Sequence, residues 1–179
     1  MSTVTRCFRL IRTIEKWTLA SSILIIAVIT IVNVFCRAVL NTSLTFGEEI
    51  AQFSVILTTC IGLSYAAGQG RHIRMSALSD ALSPASRKRL TMVIAGFTSL
   101  LMFFLAYYSI RYIATVHALG TVSAALQVPF SLIYSVAPIG FVLTGLEYAL
   151  TVVRNLTEDG VYISYEHKDE YEDTPLPSA

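Results

Sequence analysis

Arg37, Glu48 and Glu49 are the residues whose types and spacing most readily do chemistry here. Arg37 closes one long uncharged run. A polar turn from Asn41 to Gly47 follows, and the two carboxylates open the next apolar run. A guanidinium facing a carboxylate can staple two helix ends, and carboxylates at a helix N-terminus are favoured by its dipole. Exposed to water, such a pair contributes under about 1 kcal/mol; at a partly dry boundary it counts for more. Arg37 needs only one carboxylate, so the second is left for another partner. Glu147 is the sole acid within a long apolar run. At membrane depth an ionisable group needs water, a backbone partner, snorkelling or another subunit. A structural or subunit-contact role is expected for Glu147, with a proton relay as the competing chemistry.

The remaining reactive side chains do not assemble into a site. Cys7, Cys36 and Cys60 fall at three different depths and form no CxxC pair, so neither a metal centre nor an internal disulfide is expected. His72 follows the second apolar run and His117 the third, which puts them a bilayer apart, too far to ligate one haem. No phosphate-binding glycine loop, nucleophile–base set or metal-binding helix occurs. The chain is therefore expected to be no enzyme, with no catalytic residues, cofactor or metal, and no nucleic-acid partner. Asn41-Thr42-Ser43 and Asn155-Leu156-Thr157 match the glycosylation pattern and are read as chance matches. Gly62 and Gly68 are candidates for close helix approach, because small residues let backbones meet in membranes.

The elements that must position these residues are written in the composition. Of 179 residues, 54% are hydrophobic and 14% charged, well short of the quarter usual in soluble domains. The apolar residues gather in four runs, about 17–36, 50–68, 90–110 and 129–153, each near the roughly 20 residues that span a bilayer. The chain is therefore expected to be an all-α integral membrane protein with four transmembrane helices. The first run is too long for a signal-peptide core and reads as a retained anchor. Residues 1–16 interleave Arg6, Arg9, Arg12 and Lys16 with apolar side chains, as an amphipathic interfacial helix would, and Trp17 follows at the interface. Ser83-Pro84 and Pro129 are expected to open the third and fourth spans, Met75 to Leu82 to form a short interfacial helix, and Pro138 to kink the fourth span.

Charge sets the expected orientation. Nine Lys and Arg lie in the N-terminal flank and the second-to-third loop, against Arg37 and Arg111 alone on the other side. The positive-inside rule then places both termini in the cytoplasm. Residues 155–179 carry seven acids and one Lys; without them the net charge rises from +1 to +7. This tail is expected to be disordered and acidic, outside a four-span membrane domain of residues 17–154.

Several short segments resemble the small membrane subunit of tripartite ATP-independent periplasmic (TRAP) transporters, the DctQ-like family. They are Asn33-Val34-Phe35-Cys36-Arg37, Phe46-Gly47-Glu48-Glu49, Gly62, and Gly70-Arg71-His72-Ile73-Arg74. Ser123-Ala124-Ala125-Leu126, Pro129, Tyr134 and Pro138-Ile139-Gly140 are similar to the family's approach to its fourth span. Phe46 stands where the family often has Trp, and the acidic tail is outside the pattern. The resemblance implies a small permease subunit of a sodium-coupled transporter for a small organic acid, in the bacterial inner membrane. It would scaffold a large multispan permease subunit and help dock a periplasmic substrate-binding protein. On that reading Arg37, Glu48, Glu49, Gly62, Gly68, His72 and Glu147 are structural or partner-contact residues among membrane lipids. The alternatives are a stand-alone proton-coupled transporter or channel using Glu147, and a redox anchor, which the histidine depths disfavour.

Overall fold

The computed structural model describes residues 2–69, 84–158, 162 and 164. It is helical: α1 (Ser2–Leu40), α2 (Thr45–Gly68), α3 (Pro84–Ala118), α4 (Phe130–Tyr134) and α5 (Val136–Thr157). Val122 and Pro129 form an isolated antiparallel bridge. Four segments are long and apolar enough to cross a membrane: Leu10–Leu40, Thr45–Gly68, Ser86–Ala118 and Phe130–Thr157.

The helix ends follow from local chemistry. Asn41 and Gly120 take φ of 52° and 62° immediately beyond α1 and α3. Asn and Gly are the residues that adopt this left-handed conformation at low cost, and it ends a helix. Pro84 opens α3, where a missing N–H costs nothing. Pro129 is the N-cap of α4, one residue earlier than a first-turn proline. Pro138 interrupts the helical hydrogen bonding of the fourth span at Ser135, which keeps right-handed helical dihedrals of φ −59° and ψ −21°. Its ring cannot coexist with a helical Tyr134 carbonyl, so α4 stops at Tyr134 and α5 restarts at Val136 with Pro138 in its first turn. The basic N-terminal segment and the first span form one uninterrupted 39-residue helix, with no turn at Trp17. Helix α5 runs past Arg154 to Thr157. The segment 75–82 and the tail beyond residue 164 lie outside the described residues.

The chain divides into two compact units, Met1–Tyr65 with Leu105–Phe141 and Ala66–Phe104 with Val142–Ala179. In the first, α1 and α2 form an antiparallel hairpin. Ser64 donates to the buried Glu15 carboxylate at 2.6 Å. A Cβ on Gly62 would touch Leu19 at 3.6 Å, and one on Gly47 would touch Ile29 at 3.2 Å. The same unit holds the α5 stretch nearest α2: a Cβ on Gly140 would lie 2.8 Å from the Cys60 carbonyl carbon and closer still to its oxygen. In the second unit, α3 and α5 run antiparallel. Ser99 donates to the Gly145 carbonyl at 2.9 Å, the Phe103 ring covers Gly145, and Lys88 donates to the Glu158 carbonyl at 2.7 Å.

Burial is inverted relative to a water-soluble fold. The buried hydrophobic side chains are small or few: Ala67, Ala95, Ala106, Val116 and Ile133. Buried polar ones include Ser22, Ser54, Ser64, Ser99, Thr144, Thr151 and Asn155, while large apolar residues such as Leu24, Phe35, Phe97 and Leu100 are exposed. Lipid removes the penalty for exposed apolar surface, and small or hydroxyl side chains let helices approach closely.

Candidate functional site

The turn between α1 and α2 is built from Asn33. Its Oδ1 accepts the Leu44 N–H at 2.8 Å, and its Nδ2 donates to Glu48 Oε1 at 3.4 Å. Ser43 donates to the same carboxylate oxygen at 3.2 Å, and the Leu44 carbonyl accepts Gly47 and Glu48 N–H groups to start α2. One amide thereby ties the last turns of α1 to the loop and to the first turn of α2. The sequence marks Asn33 as part of a family-like segment and not as a site. The signal available was a lone carboxamide inside an apolar run.

Glu49 points to a different place. Its Oε1 accepts the Ala125 N–H at 2.7 Å and its Oε2 the Leu126 N–H at 2.9 Å. These two consecutive amides hold the carboxylate in a two-point grip. The loop that presents these donors is folded as a tight hairpin. Ser123 N–H donates to Val128 O at 2.9 Å, Phe130 N–H to Thr121 O at 3.1 Å, and Val128 N–H to Ser123 Oγ at 3.2 Å. Gln127 adopts a φ of 55° at its corner. Successive amides converge, forming a concave donor set that suits a carboxylate. The second carboxylate is thus satisfied within the chain.

Arg37 is exposed, and among the described residues it makes no ion pair with Glu48 or Glu49. The staple exists, but with an amide and a loop backbone as its partners. Of the other sequence candidates, Gly62 faces α1 at ordinary contact distance, whereas the tight approach falls at Gly140. Gly68 is the last residue of α2, and His72 lies outside the described residues. Glu147 is buried, 7% exposed, on a face of α5 shared with Thr144, Thr151 and Asn155. Thr151 Oγ1 donates to the Glu147 carbonyl at 2.8 Å. That face is turned away from the surface.

Asn155 closes the end of α5. Its Nδ2 donates to Thr151 O at 2.9 Å and Tyr162 O at 2.7 Å, and its Oδ1 accepts the Tyr162 N–H at 2.9 Å. At 1% exposure this amide has no room for a glycan, which agrees with a chance sequon. The Arg154 guanidinium lies 4.0 Å from the Tyr162 ring centroid and 3.3 Å from Glu158. Hydrogen bonding from Tyr162, with help from Arg154, holds the Glu158 carboxyl below its usual range.

The family model for the DctQ component of tripartite ATP-independent periplasmic transporters matches residues 26–158, which include Asn33, Arg37, Glu48, Glu49, Glu147 and Asn155. The chain is also 44% identical over 165 residues to the ectoine TRAP transporter small permease protein TeaB of Halomonas elongata, covering 92% of this chain and 86% of that one. With four apolar helices, polar staples at their ends and this match, the chain belongs to the DctQ family of TRAP small permease subunits, multi-pass transport components of the bacterial inner membrane and not enzymes.

Proposed function

We propose that this subunit braces a large multispan permease, which carries the sodium and substrate sites, and that its α1–α2 turn and 119–129 loop help receive a periplasmic binding protein. The observation that carries this reading is the state of the first span: none of its most apolar stretch is buried within the chain. A span with so little intramolecular packing is suited to lie against lipid and another subunit. Burial of Glu147 supports a structural role for it. The substrate class is a small organic acid, and ectoine falls within that class; the relative TeaB is named for ectoine transport.

Both termini and the basic loops lie in the cytoplasm on this reading, with 17–154 as the membrane domain, residues 1–16 continuing α1 on its cytoplasmic side and the tail from about 155 on the same side. The Arg37–Glu49 end of the hairpin then faces the periplasm. The test is extraction of the tagged chain in mild detergent beside its large subunit, followed by uptake in proteoliposomes with the binding protein and a sodium gradient. Co-purification and sodium-dependent uptake are expected. Recovery as a lone homo-oligomer that transports by itself, with flux abolished by Glu147→Gln, would instead establish the stand-alone transporter.

A further inference from the structure

The C-terminal part of α3 carries an exposed cluster of tyrosines around one arginine. Tyr107, Tyr108, Arg111, Tyr112 and Thr115 line one open groove, and all five are exposed. Arg111 Nη1 donates to Tyr107 Oη at 3.3 Å, and the Tyr107 and Tyr108 rings meet edge-on with centroids 5.3 Å apart. The Thr115 hydroxyl is turned to the Arg111 carbonyl at 3.2 Å. Among the described residues Arg111 makes no ion pair, so none of their carboxylates neutralises its charge.

Depth indicates what neutralises it. Arg89 and Arg111 bracket the apolar run of α3. Their 22-residue separation is roughly 33 Å of helix, about one hydrocarbon thickness. Along α3 between them, exposed side chains are aliphatic or Phe, including Val93, Phe97, Leu100 and Phe104, at 55–71% exposure. At Tyr107 the exposed surface changes to Tyr and Arg, the composition of a membrane–water boundary. A guanidinium there is costly without a counter-charge. The anion that surrounds a lipid-facing helix at this depth is the phosphodiester of a phospholipid, and Arg presents a planar fork that matches two phosphate oxygens.

We propose that Tyr107, Tyr108, Arg111 and Tyr112 form a phospholipid headgroup site, with Arg111 holding the phosphate and the tyrosines walling the headgroup. The lipid belongs to the leaflet at the C-terminal end of α3.

The test is native mass spectrometry of the full chain released from micelles titrated with dioleoylphosphatidylglycerol, with dioleoylglycerol, which lacks the phosphate, as the comparison lipid. The wild type should retain the phospholipid and not the diacylglycerol. Arg111→Gln should bind the phospholipid about tenfold more weakly, and Arg111→Lys, which keeps the charge without the fork, should fall between. Helical circular dichroism and monodisperse elution of each variant verify folding, and Arg111→Lys carries the test if Arg111→Gln fails to fold. Equal retention of both lipids, or undiminished phospholipid retention by the Arg111 variants, overturns the proposal. Unchanged lipid binding with a reduced yield of the complex with the large subunit would overturn it in favour of a protein carboxylate as the partner.

Discussion

Asn33 uses both ends of one carboxamide to join α1 to α2, and Glu49 uses both of its oxygens on the 119–129 loop. Asn33→Ala should therefore destabilise the chain by about 1–2 kcal/mol, the range for losing such bonds and leaving a partner unsatisfied, measured as a lowered midpoint in thermal unfolding in detergent. Glu49→Ala should raise hydrogen exchange at the Ala125 and Leu126 amides without changing exchange in the middle of α3; unchanged protection would show that the loop holds itself. Arg37 makes no ion pair with either carboxylate, so Arg37→Ala should leave the isolated chain within about 0.5 kcal/mol of wild type, as surface substitutions do, yet lower the yield of complex with the large subunit. The motif around Arg37 was legible in the sequence; its bonding was not. A charge pair at two helix ends invites a salt bridge, whereas the real partners are a mid-helix amide and backbone N–H groups that no residue type advertises.

At the scale of the helix, the interruption at Ser135 and the contact at Gly140 come from one short segment. Pro138 forces α4 to end, and two residues later Gly140 lets α5 lie against the Cys60 backbone. Gly140→Ala should cost about 1–3 kcal/mol by overpacking against backbone that cannot move aside, while Gly62→Ala, meeting only Leu19 at 3.6 Å, should be nearly neutral. The pair is to be compared by detergent-resistant melting. The end of α5 carries a pH dependence. Glu158 has its folded-state pKa lowered, chiefly by Tyr162. Its contribution is thus present above the ordinary carboxylate pKa and is lost as pH falls through the depressed folded value. Fluorescence of a probe placed near Tyr162 should report release of this clasp only in acid, below the usual carboxylate range. Sequence hydropathy located the four spans but not their ends: α2 begins at Thr45 rather than at about 50, and α3 runs on from about 110 to Ala118. The interruption at Pro138 was legible as well, because a proline ring removes a helical hydrogen bond wherever it stands within a span.

For the molecule as a whole, apolar surface faces outward and hydroxyls, amides and two carboxylates, Glu15 and Glu147, face inward. Glu15 was hidden in the sequence among the basic residues before the first run; only its 2.6 Å contact with Ser64, distant in the chain by 49 residues, marks it as part of the hairpin. The proposed orientation predicts that a membrane-impermeant thiol reagent added to intact spheroplasts labels Cys36 and that Cys36→Ser abolishes this signal. Labelling of Cys36 only after lysis would reverse the topology.

By itself, the sequence determined that this is a four-helix membrane protein, which stretches form its spans, and that it resembles a TRAP small subunit. Those properties rest on hydropathy summed over about 20 residues and on local backbone preferences, which need no distant partner. Tertiary structure alone decided which groups satisfy the charges. Glu49 meets amides 76 and 77 residues away, and Gly140 meets the backbone at Cys60. Such contacts depend on how helices and loops are brought together in space, and a one-dimensional pattern does not encode that directly.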